Sequence, residues 1–247
     1  MKSFNEDIEI DFNEKYHTYK HNGTQLTCFS TWVKQYYKPF DSNLIAGIMS
    51  KKHDVPKEDI LGMWKSNGIL SAHLGNLVEE AVQHYELHAH TGWELGEDKA
   101  MPKHPILNKV IKKYLALEFS DCEKIPQALI TDVSTKKAGT ADILLVVDWD
   151  KKICRLADYK ANIEADKIDS NMKPLAPFAH LPANKLTKYQ IQMSFYAHLL
   201  EKHGWTVEGL DALVYEDTWK VYPLEVLRGK WFDDAMGFVD PLSSFAG

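Results

Sequence analysis

The chain has 247 residues, of which 45% are hydrophobic, 11% aromatic and 26% charged. That is enough apolar material for the core of one large domain, and the charged fraction is ordinary for a globular protein. Its formal charge of −6 argues against a protein that coats nucleic acid through bulk positive charge, so any nucleic-acid contact must rest on a local patch or on metal ions. No apolar run is long enough to span a bilayer, and Cys28, Cys122 and Cys154 stand far apart with no CxxC pair, which argues against a disulfide framework, a zinc ribbon or a four-cysteine iron–sulfur cluster.

The opening stretch MKSFNEDIEIDFNEKY is acidic and lacks the apolar centre of a signal peptide, so a cytoplasmic protein is expected. IEIDF, YHTYK and TQLTCF read as short strands, with HNG as the turn between the last two. Ser30 or Thr31 is placed to cap a helix through WVKQYY, and Asp41-Ser42 to cap NLIAGIMSKK. Pro56 suits the first turn of KEDILGMWKSNG. A separate helix is expected from about Ser71 to His88, because Leu74, Leu77, Val78, Ala81 and Tyr85 recur at helical spacing. HPILNKVIKKYLALEF reads as another helix.

Three strands are expected between Pro126 and Asn162, and then a long irregular stretch, IEADKIDSNMKPLAPFAHLPA. Its length favours a functional role, bordering a substrate channel, over a disordered excursion. NKLTKYQIQMSFYAHLLEKHG is a strong helix ended by Gly204. Two late strands, LDALVYED and WKVYPLEV, and a short helix close the chain. The pattern predicts a mixed central sheet flanked by helices, an α/β architecture of the α+β type, with residues 1–247 as one domain. Residues 1–70 would form an N-terminal elaboration and about 71–226 the core.

The most strand-like segment, AGTADILLVVDWDKKICRLADYKAN, carries charges inside it. If Ile143–Val147 and Ile153–Ala157 are the arms of a hairpin centred on Asp150, then Asp148 faces Lys152 and Asp142 faces Asp158. Lys160 then shares their face. Facing carboxylates repel, and a lysine with a divalent cation would offset the repulsion; Mg²⁺ favours one or two carboxylates plus water and phosphate. A register shifted by one residue would scatter the aspartates, so the inference depends on the pairing. A single Asp in a strand is ordinarily a solvated edge residue; three charges converging on one face are harder to explain that way.

GTAD ending at Asp142, DYK at 158–160, and Gln192 with Tyr196 as Q-x-x-x-Y on the following helix together resemble the PD-(D/E)xK nuclease superfamily. The resemblance is to its RecB-type, phage exonuclease-like branch without an iron–sulfur cluster. It covers roughly residues 16–216. It implies a restriction-endonuclease-like core and a Mg²⁺- or Mn²⁺-dependent deoxyribonuclease, more an exonuclease than an endonuclease, serving phage DNA recombination, repair or processing in the host cytoplasm. A recombinase or helicase partner is compatible with that setting, and no membrane partner is implied.

By the same resemblance, Asp142, Asp158 and Lys160 would be catalytic. Glu79, Asp142, Asp158 and the carbonyl of Tyr159 would hold one or two metal ions. Gln192, with Tyr196, would brace the site or contact DNA near the scissile phosphate; apart from the resemblance, Lys136, just ahead of the GTAD strand, is placed to touch a phosphate backbone, and Lys188 is a further substrate-binding candidate. Relatives often carry G-x-x-x-H ahead of the sheet; here Gly75 is followed by Glu79, still a hard oxygen ligand, with Glu80 as the neighbouring alternative. Ala161 stands where many relatives have threonine. Asp132 is placed to support a second metal or a basic partner, or is simply structural. Glu80, His84 and His88 share a helical face at zinc-binding spacing, but with no fourth ligand they read as an exposed face. A binding or structural module of the same fold, and a metal-dependent RNA or nucleotide hydrolase, remain as alternative readings.

Overall fold

The alternation of apolar residues from 123 to 161 resolves into three antiparallel strands, and everything else is laid on or beside them. A computed structural model describes residues 1–13, 16, 18–89, 105–117, 122–161, 164–229, 231, 232 and 235, the side chains of 88 and 89 excepted. Its strands are β1 (Asp11–Asn13), β2 (Thr18–His21), β3 (Thr24–Cys28), β4 (Glu123–Asp132), β5 (Lys137–Asp148), β6 (Ile153–Ala161), β7 (Thr206–Tyr215) and β8 (Trp219–Leu224). They join in one eight-stranded mixed sheet. The helices are α1 (Phe29–Trp32), α2 (Ser42–His53), α3 (Lys57–Ala89), α4 (Pro105–Leu115) and α5 (Lys185–Lys202), with 3-10 turns at Val33–Tyr36 and Ser170–Met172. Among the described residues no helix is long and apolar enough to cross a membrane.

Two apolar layers flank the sheet. On one face Leu144, Val146, Leu156 and Leu210 pack with Phe29 and Trp32 of α1 and with Ile191, Phe195 and Leu199 of α5. On the other, Ile143, Leu145, Ala157 and Leu213 pack with Val78, Val82 and Tyr85 of α3 and with Val110 and Tyr114 of α4. The strand period of two delivers alternate residues to the two layers. The N-terminal strands are continuous with this sheet, since β3 pairs in parallel with the start of β5 at Thr27–Lys137 and Cys28–Ala138. Asp41 caps α2 by accepting from the Leu44 N–H at 2.9 Å, and Asn184 caps α5 by accepting from Thr187 N–H at 2.9 Å. Gly204, at φ +83°, ends α5 as expected.

Several expectations need correction. The two helices read at 57–68 and 71–88 are one helix of 33 residues, because Gly68 costs helix stability without breaking it and its surroundings are open. Apart from Ile60, buried near its start, α3 joins the core from Val78 onward; Leu74 and Leu77 are exposed and line a groove with Ile106 and Leu107. The helix expected after Ser30 or Thr31 begins at Phe29 and tightens to a 3-10 turn at Val33. The first expected strand shifts from 8–12 to Asp11–Asn13.

The long stretch after β6 is anchored. Ala165 and Phe178 are buried in the core, and Leu175 N–H donates to Tyr36 carbonyl at 2.6 Å. The short closing helix falls largely outside the described residues.

Candidate active site

The hairpin carries the site, and its register is the one that unites the aspartates. Ile143 pairs with Ala157 and Leu144 with Leu156, so the next position places Asp142 opposite Asp158. At the hairpin tip the expectation slips: a bulge after Val146 sets Asp148 opposite Ile153 rather than Lys152, which takes φ 53°.

Asp142 stands where β5 loses pairing on both edges. On the β4 edge, Pro126 pairs with Ile143 and Ala128 with Ala141, while Gln127 between them adopts φ 52°. That left-handed conformation is uncommon for a residue with a side chain and marks strain. On the other edge β6 leaves β5 after Ile143, and β3 takes the same edge only at Lys137–Ala138. The inside–outside alternation also slips here, since Ala141 faces the same layer as Leu144 and Val146. Along 139–142 the β3–β6 edge of β5 is open, a breach in the sheet, while 139–141 stay paired with β4 on the other edge. Asp142 fills part of the breach by accepting the backbone N–H of Tyr159 at 2.9 Å, in place of a ladder carbonyl.

Lys160 is the centre of the site. Its ammonium lies 2.7 Å from Asp158 Oδ2, 3.7 Å from Asp142 Oδ2 and 3.9 Å from Glu79 Oε1, and donates to the carbonyl of Tyr159 at 2.5 Å. Glu79 comes from α3 on one face of the sheet, and Tyr189, whose ring the ammonium overlies at 5.2 Å, from α5 on the other. Both helices reach the same point through the breach. Glu80, the alternative ligand, is exposed, as is His84, and the side chain of His88 lies outside those described.

Three carboxylates around one ammonium leave surplus negative charge. Burial, and then the charge of Asp158, push the Asp142 carboxyl up to about 8. Burial also raises Glu79, with Lys160 opposing and Asp158 adding to the shift. Burial alone would depress the Lys160 ammonium, but Asp158, Asp142 and Glu79 together reverse this and raise it. Lys160 is therefore a fixed cation at any physiological pH.

Among the described residues no three His, Cys, Asp or Glu side chains stand at metal-ligand spacing; the carboxylates gather round the ammonium instead. The donor set nonetheless fits a hard divalent cation. It offers carboxylate and carbonyl oxygens only, and its raised Asp142 carboxyl is a group that added positive charge would return to the ionised form.

Tyr196 and Gln192 brace the breach. The Tyr196 hydroxyl donates to the Thr140 carbonyl and receives Gln192 Nε2, both at 3.4 Å. Gly139 makes room for it: a Cβ there would stand 2.7 Å from the Tyr196 hydroxyl and 3.0 Å from the Phe29 ring. This accounts for the glycine of GTAD.

Lys188 lies half-buried one residue before Tyr189. Lys136 is not brought to the site. It sits on the β4–β5 turn at φ 54°, six residues from Asp142, about 20 Å along an extended strand. Asp132 has the basic partner that is one of its expected roles: Lys202 Nζ lies 3.0 Å away, and Ser134 and Thr135 also donate to it. Burial opposes ionisation of Asp132, but those bonds outweigh it and hold the carboxyl well below the usual range.

A second polar group lies under the site, and the motifs give no hint of it. The Tyr159 hydroxyl meets that of Tyr114 at 3.1 Å, Tyr114 donates to Glu86 Oε1 at 2.6 Å, and Lys124 Nζ donates to the same oxygen at 2.9 Å. Glu86 is two turns beyond Glu79 on α3, so the network ties the helix carrying Glu79 to the strand carrying Asp158 and Lys160. The signal that could reveal it is the spacing of Glu79 and Glu86, an acid recurring every seven residues toward an apolar face.

No protein-family model matches the chain, and no curated protein is significantly similar to it.

Proposed function

We propose that the chain is a divalent-metal-dependent deoxyribonuclease on a restriction-endonuclease-like core. The observation that carries the reading is the gathering of Glu79, Asp142 and Asp158 around Lys160, beside the Tyr159 carbonyl, at a breach in the sheet. A stable fold has no need of three partly buried carboxylates on one lysine, because such groups cost more to desolvate than they return.

Bound Mg²⁺ or Mn²⁺, one ion or two, held by Glu79, Asp142, Asp158 and the carbonyl of Tyr159, would acidify a water and neutralise phosphate oxygens. The protein's own groups do the rest. Lys160 presents a permanent cation where charge builds on the phosphate under attack. Asp158, 2.7 Å away, fixes its position. Tyr196, met by Gln192, holds the Thr140 carbonyl so that Asp142 keeps its place. Lys188 offers a cation to the strand. The resemblance to phage nucleases extends the proposal to exonucleolytic processing of DNA during recombination or repair.

The test is incubation of the protein with linear duplex, single-stranded and closed circular DNA, and with RNA, in Mg²⁺, Mn²⁺ or EDTA. Metal-dependent cleavage should fall at least about a hundredfold in Asp158→Ala and Lys160→Ala. Loss of linear DNA with the circle intact would identify an exonuclease. No cleavage by the wild type in any metal would sink the reading in favour of a binding module. Cleavage of RNA alone would redirect it, and cleavage that survives both substitutions would put the site elsewhere.

A further inference from the structure

Helix α5 meets the site at two points along one face. Tyr189, Gln192 and Tyr196 stand at i, i+3 and i+7, so they share a side of the helix. Tyr196, met by Gln192, reaches the Thr140 carbonyl. Two turns earlier the Tyr189 ring lies beneath the Lys160 ammonium, 5.2 Å from nitrogen to ring centre. That ring is held in place from two directions. Tyr189 packs against the core layer that α5 helps to build. The first turn of α5 is also tied to the chain just beyond β6, since Leu186 N–H donates to the carbonyl of buried Ala165 at 3.3 Å.

The other described partners of the ammonium are all oxygens: the carboxylates of Asp158, Asp142 and Glu79 and the carbonyl of Tyr159. These are the oxygens proposed above as metal ligands. With Mg²⁺ or Mn²⁺ on them their negative charge is offset, and a neighbouring ammonium is pushed away rather than drawn in. Lys160 must then keep its place without them, and of its described partners the ring alone is left to hold it. An aromatic face attracts an ammonium through its quadrupole. It presents no oxygen that a hard cation would take and adds no charge to the carboxylates. A carboxylate in its place would hold Lys160 in the metal-free site but would join the ligands in the loaded one.

We propose that Tyr189 is a positioning residue whose ring holds the Lys160 ammonium at the reacting phosphate when Glu79, Asp142, Asp158 and the Tyr159 carbonyl are engaged with metal. The role rests on the nuclease reading above. It falls to a residue three positions ahead of the Q-x-x-x-Y pair, outside every motif that marks the site.

The experiment measures Mn²⁺ binding by calorimetry, without DNA, alongside cleavage kinetics and urea unfolding in EDTA. The proteins are wild type, Tyr189→Phe, Tyr189→Leu, Lys160→Ala and the double variant of Tyr189→Leu with Lys160→Ala. Tyr189→Leu should weaken Mn²⁺ binding about three- to tenfold, because the displaced ammonium loses the surface that receives it. In the Lys160→Ala background the same change should move Mn²⁺ affinity by less than about twofold, since no ammonium is displaced. At saturating metal, kcat on linear DNA should fall about five- to thirtyfold in Tyr189→Leu while KM stays within about twofold. Tyr189→Phe keeps the ring and should stay within about threefold of wild type in both readouts. Should Tyr189→Leu not fold, pentafluorophenylalanine at position 189 keeps the shape of Tyr189→Phe but drains the negative face of the ring, and it should weaken Mn²⁺ binding as the leucine would.

An equal loss of Mn²⁺ affinity with and without Lys160 would overturn the proposal, because a tyrosine that only packs acts alike in both backgrounds. So would Tyr189→Phe behaving like Tyr189→Leu, or a fluorinated ring that binds Mn²⁺ as well as Tyr189→Phe does. If the wild type cleaves DNA and the coupling to Lys160 is absent, the role of the ring falls and the nuclease stands. If the coupling is present but nothing is cleaved in any metal, the nuclease falls and the hold of the ring on Lys160 stands. If the wild type binds no Mn²⁺, both fall.

Discussion

Asp142→Asn should make the metal-free protein more stable at alkaline pH, although it removes a residue proposed as essential. The carboxyl is pushed from an ordinary 3.8 to about 8 by burial and by Asp158. Its folded value lies above its unfolded value, so between pH 4 and 8 the folded protein holds a proton that the unfolded chain has released. Stability therefore falls as pH rises through that window, by about 1.4 kcal/mol per pH unit from this one group. Four units would give about 5 kcal/mol; with 23% of the side chain still exposed, screening trims this to roughly 2–4 kcal/mol. Asparagine keeps an oxygen for the Tyr159 N–H and drops the charge. Urea unfolding in EDTA, followed by tryptophan fluorescence, should show the variant ahead of wild type at pH 8.5 by that margin, with the two converging toward pH 4. Added Mn²⁺ should stabilise wild type more at pH 8.5 than at pH 6, and the variant far less. A variant that is less stable than wild type by the same amount at every pH would refute the claim that surplus charge strains this site.

Gly139→Ala should destabilise by about 1–3 kcal/mol, because its methyl group meets the Tyr196 ring and hydroxyl; chemical denaturation reads it directly. Glu86→Gln leaves Lys124 without its charge partner and should cost about 3 kcal/mol, whereas Tyr114→Phe should cost about 1 kcal/mol and raise the Mn²⁺ concentration needed for half-maximal cleavage. If Tyr114→Phe leaves that metal requirement unchanged, the network supports the fold and not the site. Asn184→Ala removes the cap of α5 and should cost about 1 kcal/mol with kcat unaffected.

What is legible in the sequence is what depends on short range. The hairpin register follows from the lengths of two apolar runs about one turn, and that local pairing alone is enough to bring Asp142, Asp158 and Lys160 together. The cap at Asp41 and the stop at Gly204 are equally local. Glu79 is reached by spacing from Gly75, and its side chain is the one that meets Lys160 while Glu80 stays exposed. The failures are non-local or tertiary. Gly68 reads as a helix break on propensity alone, but its cost is small against a long helix anchored at its C-terminal half. Lys136 reads as well placed because its sequence distance from Asp142 is short, yet an extended strand turns six residues into the length of the site itself.

The breach is the feature that links fold to chemistry, and it explains why Asp142 does two jobs. A strand with both edges paired offers no room for a carboxylate beside the backbone. At Asp142 the left-handed Gln127 removes one partner and the departure of β6 removes the other. The unpaired Tyr159 N–H then needs an acceptor, and Asp142 supplies it, which holds the carbonyl of the same residue against Lys160. The charge of Asp142 and its hydrogen bond are thus separable. Asp142→Asn should keep the backbone of 158–160 in place and lose activity through charge alone. Asp142→Ala should lose the tether as well and cost about 1–3 kcal/mol more stability than Asn at pH 5. If Ala and Asn prove equally stable, the Tyr159 N–H finds another acceptor and the breach is not held by Asp142.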